Sequence, residues 1–134
     1  MRILVVDDDK VMRQLFSVVL QRADFEVDVA EDGLVGVEMW GKGRYDLVLM
    51  DVQMPRMNGL EATLSIREME RAQGGHTPIV AVTAYALDKD EAECLAAGMD
   101  AYLAKPIKLK KCIEMINTLL HRTSQATGAK EDLS

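Results

Sequence analysis

Apolar residues along this chain follow two alternating rhythms. Ile3-Leu4-Val5-Val6, Leu47-Val48-Leu49-Met50 and Ile79-Val80-Ala81-Val82 are short unbroken runs, the mark of strands buried on both faces. Between them the spacing turns helical. Val11, Leu15, Val18 and Val19 recur at i, i+4, i+7 and i+8 as an amphipathic helix, and Leu109, Ile113, Ile116 and Leu120 share one face of a last helix. A second helix is predicted between Asp32-Gly33 and the break at Gly41-Lys42-Gly43. A third runs from about Gly59 to Met69, before the polar stretch "RAQGGHTP", and a fourth from Asp88 to Ala97. Phe25, Val27 and Val29 alternate with Glu26 and Asp28, the period-two signature of a half-exposed edge strand, and Tyr102-Leu103-Ala104 makes a fifth strand. The segment after Arg122, "TSQATGAKEDLS", is poor in apolar residues. It is expected to be a disordered tail or linker over 123–134, which leaves one domain over 1–122.

Five strands alternating with helices predict a parallel sheet covered on both faces, because each parallel crossover is right-handed and a helix fits it. The edge character of the second strand selects the order 2-1-3-4-5, a flavodoxin-like, doubly wound (βα)5 fold. Ligands of such sheets bind beyond the carboxyl ends of the strands, where the order reverses. The residues that end the strands are therefore the candidates for chemistry.

Those ends are Asp7-Asp8-Asp9, Asp51, Thr83 and Lys105-Pro106, with Ala30-Glu31-Asp32 on the far side. Acids gathered in one crevice repel one another and raise their own pKa values unless a cation lies between them. Their hard oxygens suit Mg²⁺, which takes one or two protein carboxylates and keeps positions for water and phosphate. A carboxylate nucleophile, a divalent cation, an amine and a hydroxyl are the parts of a phosphoryl-transfer site.

Composition removes other readings. The chain has 134 residues, 49% of them hydrophobic, enough for one core and too few for two. A net charge of −6 with no long Lys/Arg block argues against direct binding to nucleic acid or a membrane surface. No signal peptide and no membrane-length apolar run is visible, so a cytoplasmic location is expected. Cys94 and Cys112 lie far apart in helical patterns without ligand partners, as reduced core thiols do.

Taken together, "VVDDD", "VLMDVQMPRMNG", "VAVTA" and "YLAKP" resemble the receiver domain of bacterial two-component signalling, over residues 1 to about 121. The resemblance implies a response-regulator phosphoacceptor, a switch and not a turnover enzyme, that assists its own aspartyl phosphorylation and dephosphorylation. It implies that Asp51 takes a phosphoryl group from a phosphohistidine of a histidine kinase or histidine phosphotransfer domain. Mg²⁺, with Mn²⁺ as a substitute, would be held by Asp7, Asp8, Asp51 and the main-chain carbonyl of Gln53. Thr83 and Lys105 would contact the phosphoryl oxygens, Ala84 would keep access open, and Tyr102 would be the aromatic that turns inward. The Lys105–Pro106 bond would be cis. The positions of Gln53 and Tyr85 tune acyl-phosphate hydrolysis in the family. The target surface would lie on the fourth helix, fifth strand and last helix, including Ala101-Tyr102-Leu103 and the face beside Lys108, and phosphorylation-linked dimerisation is compatible with it. "MPRMNGLEAT" and "GGHTPIVAVTAYA" are most similar to receivers fused to hybrid sensor histidine kinases, whose next partner is a phosphotransfer domain.

Rival readings exist for single residues. Asp9 suits a helix N-cap, and His76 and His121 suit structural or solvated roles. "GVEMWGKG" has phosphate-loop spacing as far as its lysine, but Gly43 stands where Ser or Thr is needed and the spacer reads as helix. Asp7-Asp8-Asp9-Lys10-Val11 also resembles the signature of haloacid-dehalogenase-type phosphohydrolases, with Asp7 as nucleophile and Asp9 as general acid. That alternative leaves Asp51 without a role.

Overall fold

The structure is a computed structural model that describes residues 1–54, 56–84 and 88–133, with 88–90 and 122–133 described by backbone alone. Its elements in chain order are β1 (Arg2–Val6), α1 (Lys10–Arg22), β2 (Glu26–Ala30), α2 (Gly33–Lys42), β3 (Leu47–Asp51), α3 (Gly59–Gln73), β4 (Ile79–Thr83), α4 (Asp88–Ala96), β5 (Ala101–Ala104) and α5 (Leu109–Leu133). All strand pairs are parallel, and the sheet order is β2-β1-β3-β4-β5.

Alternate residues of the buried strands feed two apolar layers, as the pleat requires. Ile3, Val5, Leu47, Leu49, Val80, Val82 and Leu103 pack with Phe16 and Leu20 of α1 and with Cys112, Ile116 and Leu120 of α5. On the other face Leu4, Val6, Val48, Met50, Ile79 and Ala81 pack with Ala62 and Ile66 of α3 and Cys94 of α4. Both cysteines are free and buried, and burial pushes the Cys112 thiol up to about 11. The exposed edge falls on β2, as its alternating pattern predicts.

The helices begin where short polar side chains supply acceptors for unpaired amides. Asp9 Oδ1 takes the Val11 amide at 2.9 Å and Asp32 Oδ1 the Val35 amide at 2.9 Å. Asn58 and Glu61 form a reciprocal capping box at the start of α3. "GVEMWGKG" lies within α2 and its terminal Gly43 cap, a helix where a phosphate loop would need an open amide cradle.

Two expectations change. The α1 stripe read from spacing faces solvent: Val11, Leu15 and Val18 are 69%, 39% and 47% exposed, while Phe16 and Leu20 are buried. Apolar residues occupy most of this helix, and the face with Phe16 and Leu20 fills the core. α3 runs beyond Met69 to Gln73, because Arg67 and Glu70 turn inward to an ionic network instead of opening a polar loop. Arg67 donates to Glu70 Oε1 at 2.6 Å, Asp100 Oδ2 at 2.7 Å and the carbonyls of Thr77 and Gly98 at 2.8 and 2.9 Å. The backbone of α5 is helical to Leu133. Extending an existing helix adds a hydrogen bond per residue without a new nucleus.

Candidate functional site

The carboxyl ends of β1, β3, β4 and β5 place Asp7, Asp51, Thr83 and Lys105 around one crevice. Asp7, Asp51 and Thr83 are buried, at 1%, 5% and 2% exposure. Asp7 follows β1 directly, its amide bonded to the Ala30 carbonyl at 3.1 Å, and its Oδ1 accepts the Asp9 amide at 2.9 Å. Arg13 of α1 donates to the Asp7 carbonyl at 2.8 Å and so holds the acidic turn from below. Asp8 is exposed at the mouth.

One oxygen from each of Asp7, Asp8 and Asp51 lies within 4.8 Å of the others. Hard oxygen donors at this spacing fit a divalent cation such as Mg²⁺. Lys105 Nζ lies 3.8 Å from Asp7 Oδ2 and 3.8 Å from Asp51 Oδ2. Burial and the charge of Asp7 push the Asp51 carboxyl up to about 7, against the pull of Lys105 and of the Gln53 amide, and a hydrogen bond with Asp8 adds to the rise. The Gln53 amide donates to Asp51 Oδ1 at 3.2 Å.

Thr83 and Gln53 line a common cavity of about 190 Å³ with Val52, Asn58, Leu60, Glu93 and Cys94. The Lys105 amide bonds to the Thr83 carbonyl at 2.7 Å, and the Lys105–Pro106 bond is cis. Ala84 is exposed beside Thr83. Tyr102 is half-buried against the layer under α3 and α4.

Leu103 departs from the expected target surface. At 4% exposure it belongs to the layer under α1 and α5, because its pleat position points inward; Ala101 and Tyr102 are half-buried and Lys108 is exposed. Tyr85 lies outside the described residues. Asp9 spends its carboxylate capping α1, the reverse of what a phosphohydrolase general acid needs. His76 Nε2 meets Asp100 Oδ1 at 2.6 Å, and His121 is exposed.

Spacing alone did not reveal Arg13, Asp32 and Arg56 at the rim of this crevice. Asp32 is 3% exposed, and its carboxyl is held below the ordinary range: burial opposes ionisation, but the Val35 amide, the Arg56 guanidinium and the Leu34 amide outweigh it. The sequence signal for Asp32 was its place at a strand end before Gly33.

A five-stranded parallel sheet with three acids, a hydroxyl and an amine at its switch point defines a flavodoxin-like domain built for anionic chemistry beside a divalent cation. The chain belongs to the response regulator receiver domain family, matched over residues 3–117. It is similar to hybrid signal transduction histidine kinase I of Dictyostelium discoideum, at 40% identity over 87% of this chain and 7% of that protein. Among solved structures it resembles the receiver domain of sensor histidine kinase PA1611 from Pseudomonas aeruginosa PAO1, determined with a magnesium ion in its active-site cleft (35% identity, TM-score 0.81, 90% of this chain and 97% of that one). It also resembles a chain in the Saccharomyces cerevisiae complex of the phosphotransfer protein Ypd1 with the receiver domain of Ssk1 (28% identity, TM-score 0.81, 87% and 86% covered). Such domains are phosphoacceptor switches paired with histidine kinases and phosphotransfer proteins, and not enzymes of the usual kind; they are not confined to bacteria. The haloacid-dehalogenase reading finds no support. Among the described residues, no helix is long and apolar enough to cross a membrane.

Proposed function

We propose that Asp51 is the phosphoacceptor. The observation that carries this reading is the pairing of Lys105 with both Asp7 and Asp51 at 3.8 Å, around a carboxyl that burial and Asp7 have pushed up to about 7. Asp7, Asp8, Asp51 and the Gln53 carbonyl would hold Mg²⁺, or Mn²⁺ in its place. Bound there, the cation supplies positive charge for the acceptor carboxylate and for the phosphoryl oxygens.

One Asp51 oxygen attacks phosphorus as the bond to the donor's imidazole nitrogen breaks, and that nitrogen leaves with the electron pair and takes a proton. Lys105 and the Thr83 hydroxyl take up the charge of the transferred oxygens, with Ala84 leaving the approach open. Thr83 then shifts toward the phosphoryl group and Tyr102 turns inward, a bias of two states by one modification. Assisted dephosphorylation is a separate step in the same charge environment: water attacks phosphorus, the bond to the Asp51 oxygen breaks, inorganic phosphate leaves and the carboxylate is restored, and the side chain of Gln53 at the mouth tunes it.

The donor is a histidine kinase or phosphotransfer domain, and the exposed Val11, Leu15 and Val18 stripe beside the acids is where it seats. Residues 1–122 form the signalling unit, a span that contains the family match over 3–117, and 123–134 act as tail or linker. The chain spans about 7% of the hybrid kinase that it matches, which favours a receiver from such a protein working in the cytoplasm, without direct contact to nucleic acid or membrane. Dimerisation would follow phosphorylation, through the surface of α4, β5 and α5.

Peptide mapping by mass spectrometry after incubation with Mg²⁺ and acetyl phosphate tests the reading. A single adduct on Asp51, absent with EDTA and in Asp51→Asn, is the expected outcome. An adduct on Asp7 that survives Asp51→Asn would overturn it.

A further inference from the structure

At the same end of the sheet, Arg56 is a cation held differently from Lys105. Arg56 lies between β3 and α3 with φ at 65°, the left-handed region that residues with a Cβ seldom adopt. Its Nε donates to Asp32 Oδ2 at 3.0 Å, and its Nη2 makes a closer contact with the same oxygen. The Asp32 side chain is 5% exposed and that of Arg56 57%, so a buried anion anchors the end of an outer arm.

A second tie lies alongside. The Gly33 amide donates to the Met57 carbonyl at 3.2 Å, and a Cβ at Gly33 would stand 2.2 Å from that oxygen, closer than any side chain permits. Two consecutive residues of the loop are thus fastened to the first turn of α2, across 24 positions of sequence in the case of Arg56 and Asp32. Because β1 lies between β2 and β3, both ties join the segments that follow its two neighbours, at the end of the sheet where Asp7 and Asp8 also lie. An unusual backbone conformation persists only where its surroundings over-determine it. Here they do so at the carboxyl end of the sheet, the end that carries the acids. The arginine's charge is also matched by Asp32, so the tie brings no net charge to a crevice that must attract a cation.

We propose that Asp32 and Arg56 are positioning residues for the metal site: their ion pair holds the loop that carries Gln53 in the arrangement that binds Mg²⁺. This inference rests on the reading of Asp7, Asp8 and Asp51 as metal ligands. The pair touches neither metal nor phosphoryl group and acts through the loop, as outer partners of metal ligands do.

The test is the Mg²⁺ dissociation constant by isothermal titration calorimetry, with the urea midpoint measured beside it. Arg56→Gly removes the guanidinium while leaving a residue at ease with φ at 65°. Asp32→Asn keeps the oxygen that caps Val35 and removes the anion. Each variant is expected to weaken Mg²⁺ about tenfold. The double variant is expected to be no weaker than the worse single one, since both break one link. Arg56→Lys should recover part of the loss. At saturating Mg²⁺, phosphorylation by acetyl phosphate should stay within about twofold of wild type. An unchanged Mg²⁺ constant in Arg56→Gly and Asp32→Asn, with lowered urea midpoints, would assign the pair to stability alone and overturn the proposal. A wild-type chain that binds no Mg²⁺ would overturn the reading of the three acids themselves, and this inference with it.

Discussion

Lys105 Nζ lies 3.8 Å from Asp51 Oδ2, although the two residues end strands separated by β4. The attraction favours the ionised carboxylate, yet burial and Asp7 outweigh it and leave the Asp51 carboxyl at about 7. Replacing Lys105 by Gln removes the main opposing pull. Carbon-13 titration of the metal-free protein should show the Asp51 midpoint moving upward, by on the order of one unit. A midpoint that stays in place would mean that Lys105 is screened from the acids.

Metal-free stability should fall as pH rises. Between the ordinary carboxyl value of 3.8 and about 7 the folded state keeps a proton on Asp51 that the unfolded chain has released. Folding is therefore favoured on the acid side, and the advantage shrinks until pH passes about 7. Its full size is on the order of 3 kcal/mol. Thermal melts in EDTA should drop between pH 5 and pH 8, Mg²⁺ should reverse the drop, and Asp51→Asn should flatten it. A slope that persists in Asp51→Asn would place the responsible group elsewhere.

The exposed α1 stripe separates two routes of phosphorylation. Leu15→Glu and Val18→Glu put charge on a face that is already solvated, so the fold should tolerate them. Transfer from a phosphorylated phosphotransfer domain should slow by at least about tenfold, while phosphorylation by acetyl phosphate stays unchanged. Equal losses by both routes would show that α1 affects the chemistry and is not a docking face.

Arg67 is the keystone at the opposite end of the sheet. Its loss strands Glu70, whose side chain is 5% exposed, and deprives Asp100 of a partner. Arg67→Ala should reduce unfolding free energy by about 3 kcal/mol, read from urea curves with unchanged slope. A loss below about 1 kcal/mol would mean that water replaces the guanidinium.

Much of this was legible because buried parallel strands write themselves as solid apolar runs. Three of the five did so, and the half-polar rhythm of Glu26–Ala30 marked the edge that set the strand order. Strand ends in a known order then located Asp7, Asp51, Thr83 and Lys105 together. The face of α1 was not legible, since seven of its 13 residues are apolar and two stripes compete; the core takes the one that carries Phe16 and Leu20. Nor was the Arg67–Glu70–Asp100 network, because an inward-facing charge reads in sequence like a solvated one. Asp32 and Arg56 were hidden for another reason: their meeting depends on which strands are neighbours, not on local spacing.

Gly59 opens α3 with its amide on the Val52 carbonyl at 2.9 Å, and a Cβ there would lie 2.3 Å from the carbonyl oxygen of Asp51. The first turn of α3 thus bears directly on the backbone of the acceptor, with no side chain between them to yield. Asp51 and the start of α3 are thus joined by direct backbone contact. With Asp51 as the proposed acceptor, its α3 side is braced at Gly59, and the response proposed for Thr83 would lie on the β4 side. On that proposal the chain would separate a braced flank that receives the phosphoryl group from the flank that carries Thr83 and Tyr102.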